Sequence, residues 1–205
     1  MPQSNPDWKP SSVGIALAAY QPNPVWLAEQ LASLVAQTHS NWHCVITMDS
    51  PLRDIQGAAE LQLYLGDSRF TWVENGERLG ARKNFEKAIR LAAQRDVDLI
   101  AFADQDDIWL PEKLAESVDA IKHSGPMSLV TTDAYLFSEK TILSETIASL
   151  HRITRTTLTI EEIIICASVA GLTVLVDADL VRLHPHIPAP MRYHDGWYSV
   201  VATAY

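Results

Sequence analysis

The chain has 205 residues, enough for one domain with its own core. Apolar residues make up 47% of it and charged residues 20%, which excludes an intrinsically disordered protein. Twenty-five acids against sixteen lysines and arginines give a net charge of −9, which excludes a general nucleic-acid binder and means that any phosphate chemistry needs cations.

Residues 1–12, with Pro2, Pro6 and Pro10, read as a flexible tail without the apolar stretch of a secretory leader. A short apolar run predicts a buried strand over 13–19, and the Pro-Asn-Pro sequence at 22–24 predicts a turn. Leu27, Leu31, Leu34 and Val35 trace one face of a helix over 26–37. A strand over 42–48 follows, then a helix over 52–65, a strand over 70–73 and a loop marked by Asn75-Gly76 and Gly80. Phe85, Ala88, Ile89 and Ala92 predict a helix over 81–94, and 97–103 is a further buried strand. A helix over 110–123 carries Pro111 in its first turn, where a missing N–H does no harm. A strand over 128–137 comes next, and 138–155 has no readable period.

The apolar run 163–176 contains Ser168, Gly171 and Thr173, is too short to span a bilayer and predicts a buried strand over 167–176. A short helix over 178–183, a loop with Pro185, Pro188 and Pro190, and a helix over 195–205 complete the order. Continuous apolar strands alternating with helices predict an α/β layered fold around a mostly parallel sheet, in which ligands bind at the carboxyl ends of strands. The chain stops at Tyr205 without a helix stop signal, which reads as a domain truncated at its C-terminus. Cys44 and Cys166 form no metal-binding spacing and read as small buried hydrophobes of a reducing, cytoplasmic compartment.

The strongest chemical signal is Phe102-Ala-Asp104-Gln105-Asp106-Asp107-Ile-Trp109-Leu-Pro111. Residues two apart on extended backbone face the same way, so Asp104 and Asp106 can address one ligand. Carboxylates that close repel unless a cation separates them, and their hard oxygens suit Mg2+ or Mn2+. An acidic turn capping the next helix is the plain alternative. Asp49 ends another strand and is placed to meet a base or ribose, or to serve only as a turn residue before Pro51. Gly80-Ala-Arg82-Lys83-Asn84 opens a helix whose N–H groups and cations suit a diphosphate, against an exposed basic turn. His194-Asp195-Gly-Trp197 follows the Pro-rich loop, with Asp195 either a general base or a helix cap. The remaining histidines form no ligand pair.

In this order the segments resemble the family 2 glycosyltransferases of the GT-A fold, in the rhamnosyltransferase-like subgroup. The resemblance covers about 13–205. It rests on the opening strand Val13–Pro22, the L-x-S-L-x-x-Q-T pattern over 31–38, Asp49, the Gly80–Asn84 helix start, the D-Q-D-D-I-W-x-P block and His194-Asp195-x-Trp197. It departs from the family pattern at Ala18-Ala19, Gln21 and Met48. The resemblance implies that Ala19, Tyr20 and Asp49 hold the nucleotide, with Lys83, Asn84, Asp104 and Gln105 also on the nucleotide sugar. It implies that Asp106, with Asp104, binds Mn2+ or Mg2+, and that Asp195 is the base. Trp109, His194 and Trp197 would wall the sugar and acceptor pocket. The implied reaction is inverting transfer from dTDP-rhamnose or a UDP-hexose to a glycan or lipid-linked acceptor in surface polysaccharide synthesis, with peripheral membrane contact through such acceptors. A GT-A module that binds a sugar nucleotide without catalysis is the alternative.

Overall fold

The computed structural model describes residues 11–138, 141–150 and 169–205. Six strands form one sheet in the order β3-β2-β1-β4-β8-β5, where β1 is Val13–Ala19, β2 Trp42–Met48, β3 Phe70–Glu74, β4 Leu99–Ala103, β5 Leu129–Thr131 and β8 Val174–Asp177. Val13 is in register with Trp42 on one side and Leu99 on the other, so β1 runs parallel to both neighbours. Strand β8 alone is reversed, antiparallel to β4 and to β5. The mostly parallel sheet is therefore as expected. Every residue of β4 is buried, because helices cover both faces of the sheet.

Alternate residues of β1 divide the core in two. Val13, Ile15, Leu17 and Ala19 face a cluster built from α1 (Pro24–Val35) and α5 (Lys113–Lys122). Ala16 faces the other cluster, built from α4 (Ala81–Ala93) and the helices Ala178–Leu183 and His194–Ala202. With this crossing order the ends of β1, β2, β3 and β4 emerge along one edge, at Ala19, Met48, Glu74 and Ala103. That edge carries the candidate site.

Several boundaries differ from the sequence reading, each for a local reason. The first helix starts at Pro24 rather than 26, since the Asn23 side chain accepts from the Val25 and Trp26 N–H groups and Pro24 needs no partner of its own. The helix expected over 52–65 is three short pieces, α2 (Arg53–Gln56), a 3-10 turn Ala59–Leu61 and α3 (Gln62–Leu65). Gly57 ends the first piece and Ala58 is extended, which lets Ile55 and Leu61 reach the core separately.

The helix expected from 110 begins at Lys113, so Pro111 precedes it. Residues 109–111 are instead bonded to α1 and the segment after it: Trp109 N–H donates to Ser33 Oγ (3.0 Å), Gln37 Nε2 to the Leu110 carbonyl (2.8 Å) and Thr38 N–H to the Pro111 carbonyl (2.9 Å). The strand expected over 128–137 is two, β5 and β6 (Tyr135–Ser138). Between them the Asp133 carboxylate accepts from the Ala134 and Ala148 N–H groups, and β6 turns away to pair with β7 (Thr141–Thr146). Of the strand expected over 167–176, 167–168 lie outside the described residues, Gly171–Thr173 is a 3-10 turn and the strand itself runs Val174–Asp177. The final helix is His194–Ala202 rather than 195–205. The first ten residues of the tail expected over 1–12, Cys166 and residues 163–168 of the apolar run lie outside the described residues. Cys44 is buried and unpaired, and burial pushes its thiol up. No helix among the described residues is long and apolar enough to cross a membrane.

Candidate functional site

A cleft of about 350 Å3 opens over the ends of β1, β2 and β4. Its walls include Ala19, Tyr20, Asp49, Arg78, Asn84 and Phe85, with Asp104, Gln105 and Asp106 along one side. Seven of the residues singled out from sequence thus meet in one place. Tyr20 N–H donates to Gln105 Oε1 (2.8 Å), which ties the β1 and β4 loops together. Gln21 takes a positive φ of 44° to make the turn, and its N–H donates to Ser50 Oγ (3.1 Å).

Asp49 is buried, and its charge is spent on the protein. Oδ1 accepts from the Leu79 N–H (2.6 Å) and Asn75 Nδ2 (3.0 Å), and Oδ2 accepts from the Gly80 N–H (2.8 Å). The carboxylate thereby fixes the loop that leads into α4. Gly80 sits at φ 77° immediately before that helix, a conformation that disfavours a side chain. Asn84 is buried beneath the loop. It accepts from Asn75 Nδ2 (2.8 Å) and donates to the carbonyls of Ala19 and Thr47 (3.2 Å each), joining β1, β2 and α4. Arg78, carried on the same loop, lies over the Tyr20 ring at 4.2 Å and covers one side of the cleft. No periodicity or motif marks Arg78 in the sequence.

The acidic loop follows β4. Burial, together with the charges of Asp107, Asp106 and Asp195, pushes the Asp104 carboxyl up to about 7. Burial likewise pushes Asp107 up to about 6, with the Asp106 charge adding to it and Lys113 opposing. The Lys113 ammonium is buried, its pKa lowered to about 8 by desolvation, and it lies 3.9 Å from the centre of the Trp109 ring. The bonds from Ser33, Gln37 and Thr38 to residues 109–111 anchor this loop from behind. Gln37 Oε1 also accepts the Leu114 N–H (2.9 Å). Two separate sequence patterns, 31–38 and 102–111, are therefore one mechanical unit.

Asp195 lies in the first turn of the helix His194–Ala202 and is partly buried. Burial raises its carboxyl, while N–H groups of Gly196 and Gly171 hold it back. Its charge is felt at Asp104, so the two carboxyls share a neighbourhood. His194 is buried with its ring stacked on Phe85 at 3.8 Å and edge-on to Phe102 at 5.1 Å. Desolvation lowers it to about 3, so it is neutral. A β-carbon on Gly171 would fall 2.6 Å from His194 Nε2 and 3.7 Å from Asp195 Oδ2, so this glycine is what allows the pair to seat. Phe85 connects the two parts, since it lines the cleft on one side and carries His194 on the other.

Three expectations need correction. Lys83 is exposed on the outer face of α4, away from the cleft, because Asn84 and Phe85 occupy the inner face. Trp109 is 4% exposed and packs in the core with Lys113 rather than walling a sugar pocket. His194 is enclosed by Phe85 and Phe102 rather than open to ligand. Trp197 is partly buried and lies edge-on to His184 at 6.3 Å. Met48, where the family pattern has an acid, is fully buried.

Among the described residues no group of three or more His, Cys, Asp or Glu side chains is arranged to hold a metal. Asp104 and the exposed Asp106 still fit a hard divalent ion of the kind that takes one or two carboxylates and fills its remaining positions with phosphate oxygens and water. Burial raises the Asp104 carboxyl first and the neighbouring carboxylates add to it, and a cation would offset that second contribution.

The sequence profile described as Glycosyl transferase family 2 matches residues 15–141. An uncharacterized glycosyltransferase, MJ1057 of Methanocaldococcus jannaschii, is 25% identical over 127 residues, 62% of this chain and 43% of that protein. The dTDP-rhamnosyl transferase RfbG of Shigella flexneri is 30% identical over 97 residues, 47% of this chain and 34% of that protein. The chain thus matches less than half the length of these curated relatives.

Staphylococcus aureus TarS 1–349 in complex with UDP-GlcNAc superposes with a TM-score of 0.66 at 14% identity, over 94% of this chain and 53% of that one. The mannosyltransferase PcManGT of Pyrobaculum calidifontis, in complex with GDP-Man and Mn2+, gives 0.62 at 14% identity, over 94% and 51%. The fold is GT-A, as the sequence resemblance implied.

Proposed function

The chain belongs to glycosyl transferase family 2, and on that premise we propose that it moves a sugar from a nucleotide-diphosphate donor to an acceptor hydroxyl, with inversion at the anomeric carbon. The observation that carries this reading is the convergence of Tyr20, the Asp49-fixed loop and the Asp104–Asp106 pair on one cleft, with Asp195 beside it. The donor is dTDP-rhamnose or a UDP-hexose. This choice is supported by the rhamnosyl transferase among the relatives and by the UDP-sugar complex among the structural neighbours.

In this mechanism the nucleotide lies along Ala19 and Tyr20, and Arg78 closes over it from the Tyr20 ring. Asp104 and Asp106 hold Mn2+ or Mg2+, which when bound offsets the charge of the leaving diphosphate. The N-terminal turn of α4, begun at Gly80, faces the cleft and favours the same negative charge. Asp195 takes the proton from the acceptor hydroxyl as its oxygen bonds to the anomeric carbon. The bond from that carbon to the diphosphate oxygen breaks, and the nucleoside diphosphate leaves. Partial burial raises the Asp195 carboxyl, which makes it a stronger base than an exposed aspartate while leaving it able to ionise. The Gly171 N–H and the stacked His194 fix its position.

The test is release of nucleoside diphosphate from dTDP-rhamnose, UDP-glucose, UDP-galactose and UDP-GlcNAc with Mn2+, followed by chromatography. Release from at least one donor, lost in Asp195→Asn, supports transfer with water or glycan as acceptor. Binding of nucleotide without release from any donor, with a candidate acceptor glycan present, leaves a sugar-nucleotide-binding module instead.

A further inference from the structure

Residues 78–95 hold six of the sixteen lysines and arginines but one of the twenty-five acids, so this acidic chain has a single concentrated basic stretch. Most of that charge lies on the outer face of α4. A groove of about 360 Å3 runs there, between the helix and the Pro-rich loop before His194, separate from the cleft on the inner face.

The groove wall is fixed. Glu86 Oε2 accepts the Ile187 N–H (2.9 Å), and Arg82 Nη1 donates to the Ile187 carbonyl (2.9 Å), so the two peptides flanking one loop residue are both held. Glu86 is spent on this task, with His186 Nδ1 at 3.3 Å from Oε1 and Arg82 3.8 Å from Oε2. Lys87 donates to Asn75 Oδ1 (2.7 Å). Lys83 and Arg90 line the groove and have no partner among the described residues. Seven residues apart on a helix, they stand about 10 Å from each other along its axis. Leu79 and Ile187 add apolar surface to the same groove. Two unpaired cations at that separation, above a rigid wall, suit an extended chain with repeated negative charges better than one small anion.

We propose that this groove binds an anionic chain, one bearing phosphate or carboxylate groups at close spacing, and that the chain is the acceptor. The second half rests on the transferase reading. It is argued from chain continuity: the loop that walls the groove at Ile187 leads, seven residues on, to His194 and Asp195 at the start of the last helix.

The experiment is titration calorimetry on the full chain with short-chain inorganic polyphosphate, with orthophosphate, and with vesicles of phosphatidylcholine and phosphatidylglycerol. Nucleotide binding with Mn2+ is measured in parallel. Polyphosphate should bind, orthophosphate should bind far more weakly, and added salt should weaken both. Lys83→Gln and Arg90→Glu should each weaken polyphosphate binding about fivefold, and Arg90→Glu should leave nucleotide binding as it was. Absent polyphosphate binding, or binding that both substitutions leave untouched, overturns the groove. Vesicle binding without polyphosphate binding assigns the basic face to a membrane and also overturns it. Polyphosphate binding in a protein that binds no nucleotide keeps the anion groove and removes its acceptor role, so the two failures are distinguishable.

Discussion

Asp49→Asn separates a scaffold role from a ligand role at a residue that sequence alone leaves open between the two. The wild-type carboxylate accepts from two backbone N–H groups and one side-chain amide, and it is 6% exposed. An asparagine has one oxygen, and its NH2 group must face at least one of the donors from Leu79, Gly80 or Asn75. The change removes a charge-assisted bond and leaves a buried donor unmet, at a combined cost of about 2–3 kcal/mol. For a chain of this length that lowers Tm by about 4–12 °C. The assay is thermal unfolding without nucleotide, beside Asp106→Asn as control. Asp106 is exposed, and its substitution should stay within about 2 °C of wild type. A Tm for Asp49→Asn as close to wild type as the control's would refute the scaffold argument and return Asp49 to the nucleotide.

Three further outcomes follow from the geometry. In Gly171→Ala the new methyl falls 2.6 Å from His194 Nε2, so the ring must leave its Phe85 stack and Asp195 must shift. Donor turnover should fall at least about tenfold with nucleotide affinity kept, consistent with about 1–3 kcal/mol of overpacking at the site, and unchanged turnover would separate this pair from the reaction. Arg78→Ala removes the cation over Tyr20 and should weaken nucleotide binding about fivefold by calorimetry; an equal Kd would exclude that stack from the site. Asp104 titrates at about 7 in the folded protein against 3.8 for an ordinary aspartate. Between those values the folded state keeps a proton that the unfolded chain has released, so without metal the stability from this group falls as pH rises toward 7. Asp104→Asn should therefore raise Tm more at pH 8 than at pH 5, and a gain independent of pH would contradict the burial argument.

The parallel sheet and the cleft were legible because their signals are local. Continuous apolar runs at β1, β2 and β4 mark strands buried on both faces, and acids at the β4 end mark the ligand edge. Other features depend on contacts distant in sequence. Trp109 looks like a pocket aromatic in a motif, yet its backbone N–H is bonded to Ser33, seventy-six residues away, which draws the ring into the core. Lys83 and Asn84 are adjacent in sequence but, turned about 100° apart on α4, border different pockets, so a helix-start motif assigns them together while the helix separates them. Arg78 and Gly171 acquire their roles only when a loop folds over Tyr20 or a turn meets His194. The reversed β8 was equally hidden, since an apolar run carries no direction.

Under the proposed function, Asp104 and Asp106 would join a divalent cation to a nucleoside diphosphate in the cleft. Calorimetric titration of UDP and dTDP into wild type and Asp106→Ala, with and without Mn2+, tests it most directly. Mn2+-dependent binding of at least one nucleotide to wild type is expected, lost in Asp106→Ala while that variant unfolds at the wild-type temperature. Nucleotide binding of equal strength with and without Mn2+ in both proteins, or none in either, would contradict it.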